Sequence, residues 1–168
     1  MIAMTTSTSP PERTTRHADV GGPVSLYAAF RRQRQLFGLP IELVREVLPG
    51  QPLTRVARAR EEILGVLSLR GEILPVVVID PWLGLASHPD DSALPILVLR
   101  QAELLVGLRV DAIHSVVTVP LQEVQPHPAG GGDTFLAGIW QRAGQTPITL
   151  IDGVALIEAL CRQTITNS

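Results

Sequence analysis

Ile63-Leu-Gly-Val-Leu-Ser-Leu-Arg-Gly-Glu-Ile-Leu-Pro-Val-Val-Val-Ile79 is the stretch from which the fold is read. Two apolar runs of strand length meet at a polar break, Arg70-Gly71-Glu72. Both runs are rich in Val, Ile and Leu, as strands are. Gly71 reaches positive φ at no steric cost, so a tight turn fits there. The reading is a β-hairpin with Arg70 at its tip. Alternation is nearly absent, so both faces of the strands are expected to be buried. That suits the wall of a small barrel packed on a second layer.

Working upstream, Val24–Phe30 and Leu36–Pro40 read as strands around a polar turn, Arg31–Gln35. The three arginines of that turn read as a solvated hairpin tip. Ile41–Val47 has apolar residues at 41, 43, 44 and 47, closer to a helical turn than to a strand. Pro49-Gly50 breaks it, and Leu53–Val56 is a brief extended piece. Ala57–Glu62 reads as one helical turn leading into the hairpin. Met1–Pro23 is Thr, Ser, Pro and Gly without periodicity, and is expected to be a disordered tail.

Downstream, Asp80-Pro81 ends the hairpin, and Trp82–Leu85 is a turn that packs an indole on the core. Strands are expected at Pro95–Arg100, Leu104–Val110 and Ala112–Val119. Pro126–Asp133 reads as a flexible loop. Phe135–Trp140 and Thr146–Ile151 form a last hairpin around Gly144. Asp152 is placed to N-cap a helix, Gly153–Arg162, with Val154, Leu156, Ile157 and Leu160 on one face. About nine or ten short strands at regular turn spacing make an all-β barrel or barrel pair with one terminal helix. Residues 24–163 form the expected domain, built as two β-barrel subdomains that share a core.

Composition narrows the function. The chain has 168 residues and a formal charge of −2, without the basic footprint that nucleic acid demands. All 14 basic residues are arginine. Without lysine there is no P-loop and no Schiff base. Cys161 is the only cysteine, so it forms no internal disulfide and no CxxC site. It reads as a small apolar residue of the last helix. No apolar run reaches the roughly 18 residues of a membrane span. No signal-peptide pattern occurs either, so a cytoplasmic protein without membrane insertion is expected.

Catalytic motifs are missing: no Gly-x-Ser-x-Gly and no His-Glu-x-x-His. Glu61-Glu62 and Asp90-Asp91 lie in segments expected to be exposed, where nothing raises a carboxyl pKa. His88-Pro-Asp-Asp91 is a poor metal site, because four adjacent loop residues seldom converge on one ion. Ser115 follows His114, but strand alternation puts the two on opposite faces, so they make no nucleophile–base pair. An enzyme using His114 and exposed carboxylates is the alternative from another class; a binding module is the better reading. No metal or cofactor is called for.

Four motifs in order point to one family. Gly65-Val-Leu-Ser-Leu-Arg-Gly71 followed by Ile73-Leu-Pro-Val76 resembles the central pattern of the CheW-like family, coupling proteins of bacterial chemosensory arrays. Val44-Arg-Glu-Val47, Leu53-Thr-Arg-Val56 and Val106-Gly-Leu-Arg-Val-Asp111 resemble its flanking motifs. The resemblance runs from about Leu26 to Leu160. It implies two intertwined five-stranded SH3-like barrels with a short C-terminal helix. It also implies a non-enzymatic adaptor. The partners would be the regulatory domain of a CheA-type histidine kinase and the cytoplasmic tip of a methyl-accepting chemoreceptor. By motif, Val44, Glu46, Arg70 and Val116 would line or border the receptor groove, and Gly65 would allow close packing there. Ser68 and Val78 depart from the family's usual Asn and Asp. Ala57, Arg31–Gln35 and Leu94-Pro95 depart as well. The array served could drive flagellar chemotaxis, pilus motility or phototaxis. The runner-up is a paralogue that binds the kinase but no receptor, as a spacer or inhibitor.

Overall fold

The structure is a computed structural model that describes residues 22–128 and 135–165. The expected tail falls, up to residue 21, outside the described residues, as does most of the glycine loop, residues 129–134. In chain order the strands are β1 (Val24–Arg32), β2 (Gln35–Pro40), β3 (Val44–Leu48), β4 (Ile63–Leu69) and β5 (Glu72–Val77). Then come β6 (Ile96–Gln101), β7 (Leu104–Arg109), β8 (Ala112–Pro120), β9 (Leu136–Trp140), β10 (Ile148–Ile151) and the helix α1 (Gly153–Ile165).

Two five-stranded sheets result, ordered β8-β1-β2-β10-β9 and β3-β6-β7-β5-β4. Each sheet takes two strands from one half of the chain and three from the other, so the barrels are intertwined. All pairings are antiparallel except β2 with β10 and β5 with β7. Each sheet closes on itself in the same way. The chain leaving edge strand β3 returns through Thr54, which exchanges two backbone hydrogen bonds with Val66 of β4, at 2.9 and 2.8 Å. The chain leaving edge strand β8 returns through Gln125, which does the same with Ile139 of β9, at 2.9 and 2.8 Å. A glycine makes room at both closures. A Cβ on Gly65 would stand 2.6 Å from the Thr54 carbonyl oxygen, and one on Gly138 would stand 2.5 Å from Val124 Cγ1.

Three apolar clusters explain why the strands lack alternation. Ile96 and Val98 of β6 point into the second barrel with Leu74 and Val76. Leu97 and Leu99 of the same strand point into a cluster between the barrels. That shared cluster also takes Phe30, Phe37 and Leu39 from the first sheet and Leu156, Ile157 and Leu160 from α1. Ala29, Val119, Trp140, Ile148 and Leu150 fill the first barrel. A strand between two cores must be apolar on both faces. Asp152 caps α1 by accepting a hydrogen bond from the Ala155 amide at 3.1 Å.

Four local expectations need correction. The first hairpin turn is only Gln33-Arg34, because Arg31 and Arg32 stay in β1, where Arg32 is buried. Ile41–Leu43 is a 3-10 turn, but Val44–Leu48 is strand, since pairing with β6 overrides the helical spacing. Ala57–Glu62 holds turns rather than a helix. Val154 faces solvent while Leu156, Ile157 and Leu160 are buried.

Candidate functional site

The central hairpin turns on two residues with positive φ, Arg70 at 50° and Gly71 at 84°. That is the backbone of the tight turn whose twist matches paired strands. The turn carries Arg70 beyond the end of β4, with its side chain largely exposed. There the guanidinium meets Glu46 of β3 through two bonds: Nη1 donates to Oε1 at 2.7 Å and Nη2 to Oε2 at 3.0 Å. β3 and β4 are the two edges of the second sheet, so this pair spans the barrel's seam. Hydrogen bonds from Arg70 hold the Glu46 carboxyl below the usual carboxylate range, against partial desolvation.

Further charges extend the pair. Arg45 Nε lies 3.9 Å from Glu46 Oε1, and its Nη1 lies 3.5 Å from Glu72 Oε2. Arg100 Nη2 lies 3.0 Å from the same Glu72 oxygen. Apolar residues stand open nearby along the chain: Ile73 is 72% exposed, Val47 is 46% exposed, and both flank residues of this ladder. The tip thus combines a planar cation, ordered carboxylates and bare aliphatic side chains.

The other residues expected at the site divide between surface and core. Val116 is 55% exposed on β8 of the first sheet, paired with Ala28 and on the opposite barrel from Arg70. Val44 is half-buried against the shared core. Gly65 is buried beneath the Thr54 closure. Glu46 and Arg70 are therefore brought together directly. Ser68 is exposed opposite Ile73, whereas Val78 is buried. The buried carboxylate at that end of the hairpin is Asp80, two residues on. Sequence reading missed Ile73, Arg45, Glu72 and Arg100. The signal available was Glu72-Ile73 itself, a charged and an apolar residue just after the turn, where neither strand face is covered.

The carboxylates weighed for catalysis are held by neighbours. Glu61 accepts from Ser87 Oγ at 2.8 Å, Asp90 receives Arg109 Nε at 2.9 Å, and Asp91 accepts from the Ala93 amide at 2.9 Å. Glu62 is buried rather than exposed, with Arg60 Nε at 2.9 Å from its Oε1. The Glu62 backbone carbonyl accepts from the Val78 amide at 2.9 Å, just past the end of β5. His114 is exposed on β8. Among the described residues no three His, Cys, Asp or Glu gather as a metal site. No helix among them is long and apolar enough to cross a membrane.

The family model described as "CheW-like domain" matches residues 27–161, from within β1 to within α1. The chain belongs to the CheW-like family. The chain is 34% identical over 114 residues to a chemotaxis protein CheW of Rhizobium meliloti, spanning 66% of this chain and 74% of that protein. It is 27% identical over 146 residues to protein FrzA of Myxococcus xanthus, spanning 85% of this chain and 91% of the other. Among solved structures, the scaffolding protein TtCheW of Thermoanaerobacter tengcongensis superposes with a TM-score of 0.67 at 26% identity, covering 77% of this chain and 89% of that one. The CheW-like fold thus accounts for both five-stranded sheets and the C-terminal helix.

Proposed function

We propose that this CheW-like chain is a non-enzymatic adaptor that couples chemoreceptors to a CheA-type histidine kinase in a cytoplasmic chemosensory array. The observation that carries the reading is the hairpin tip. Arg70 is displayed in a strained turn and held by Glu46, beside an open Ile73, in the segment where the family motif is strongest. A structural arginine has no need of that exposure. The regulatory domain of the kinase and the helical-hairpin tip of a receptor are the partners this reading assigns. Val116, Val44, Glu46, Arg70 and Gly65 would line or support the receptor groove between the barrels. Relatives bearing both chemotaxis and FrzA names leave the motility system to be assigned by experiment. A pull-down with kinase regulatory fragment and receptor cytoplasmic fragment tests the proposal. Capture of both supports the adaptor. Capture of the kinase fragment alone would assign the chain to the spacer reading, and capture of neither would refute both.

A further inference from the structure

One buried ionic cluster shares no residue with the charged ladder at the hairpin tip. Arg32 closes β1 of the first sheet and is buried. Its Nε donates to Asp80 Oδ1 at 2.7 Å and its Nη2 to Asp80 Oδ2 at 2.6 Å. Its Nη1 donates to Asp111 Oδ1 at 2.9 Å. The other Asp111 oxygen, Oδ2, accepts from the Gln33 amide at 2.6 Å. Asp80 follows β5 of the second sheet and is 1% exposed. Asp111 is the residue at which the chain crosses from β7 of the second sheet to β8 of the first. Its own amide donates to the Arg31 carbonyl at 2.9 Å. One arginine therefore grips both barrels and the crossover between them. The other buried arginine, Arg109, differs: it binds Asp90 and the carbonyls of Leu94 and Gln51, all within the stretch from β3 to β7 that builds the second barrel.

We infer that Arg32, Asp80 and Asp111 form a positioning clasp that fixes the angle between the two barrels. The core that joins them is apolar: Phe30, Phe37, Leu97, Leu99, Leu108 and their neighbours. Apolar packing is non-directional and tolerates repacking. A guanidinium with three of its donors engaged by two fixed carboxylates has one geometry. Buried ion pairs roughly break even against apolar isosteres in stability, while they can specify register. The hydrogen bonds it donates to Asp80 hold the guanidinium above its ordinary range, so it stays charged. The consequence for a groove between the barrels rests on the adaptor reading; the clasp itself does not.

The test measures the angle in the free protein. Cysteines replace the exposed turn residues Gln145 of the first barrel and Glu103 of the second, in a Cys161→Ser background, and carry spin labels. The distance distribution between the labels is compared with that of the same protein bearing Arg32→Met and Asp80→Leu, which replaces the buried ion pair by apolar side chains and leaves Asp111 to the Gln33 amide and solvent. The clasp predicts that the variant melts within a few degrees of its parent while the distribution broadens at least about two-fold. If that variant does not fold, Asp111→Asn, on the solvent side of the clasp, is measured instead and should broaden the distribution at an unchanged melting temperature. A distribution that stays as narrow as the parent's in the folded variant overturns the inference, whatever the melting temperature. Broadening with undiminished binding of both array partners supports the clasp and removes the groove from the adaptor reading.

Discussion

At the scale of the residue, Arg70 and Gly65 show opposite kinds of constraint. Arg70 sits in the open, and its pair with Glu46 is screened by water, so it adds little to stability. Arg70→Ala should move the melting temperature by less than about 2 °C. Glu46 has its carboxyl pushed down by Arg70, so the pair stabilises above the ordinary carboxylate pKa and is lost as pH falls through the lowered one. Any melting difference between wild type and Arg70→Ala should thus shrink below about pH 4, and in about 1 M salt. A difference that grows in acid would contradict this account of the pair. Gly65 is constrained by space. Ala at this position puts a methyl 2.6 Å from the Thr54 oxygen that receives the Val66 amide. Gly65→Ala should cost about 1–3 kcal/mol in urea unfolding, and Gly138→Ala a similar amount, because the same closure is blocked. Gly65 was legible as a motif residue, but its role at the seam was not. That role depends on Thr54, whose return to β4 no local pattern announces.

At the scale of the element, the β4–β5 hairpin was readable from Ile63–Ile79, and its two-residue turn falls at Arg70-Gly71. The expectation that both faces are buried holds for the base and fails at the tip. Leu74 is fully buried, while its neighbour Ile73 is the most exposed large apolar residue of the hairpin. Leu74→Ala should therefore cost about 2–5 kcal/mol, through lost burial and a residual cavity. Ile73→Ala should change stability by no more than about 0.5 kcal/mol. Equal urea midpoints for the two variants would show the pleat to be assigned the wrong way round. Ile41–Val47 misled for a physical reason: its spacing suits a helical turn, but Val44–Leu48 gains backbone partners only by pairing with β6. Such non-local pairing leaves no periodicity of its own. Arg32 misled likewise, since three arginines in a polar turn look solvated until Asp80 and Asp111, far along the chain, arrive to bury one.

At the scale of the whole molecule, the chain is two similar halves that exchange strands. Pro75 to Asp80 and Pro147 to Asp152 have the same spacing and the same Ile-Asp ending, at the close of β5 and of β10. Gly65 under Thr54 and Gly138 under Gln125 repeat the same closure. Of these pairs only the Pro-to-Asp spacing is legible in the sequence; the matching closures are seen in the structure alone. The exchange of strands was out of reach, because β2 with β10 and β5 with β7 are parallel neighbours distant in sequence. A CheW-like molecule built in this way offers two barrels, one shared core and an exposed hairpin tip. Isothermal calorimetry with the regulatory fragment of a CheA-type kinase and with a receptor cytoplasmic fragment tests the adaptor reading most directly, on wild type and on Arg70→Ala. The account predicts that wild type binds both fragments and that Arg70→Ala, still folded, binds at least one of them about 30-fold more weakly, the loss of a desolvated interface arginine. Wild type that binds neither fragment, or Arg70→Ala that binds both with unchanged affinity, would contradict it.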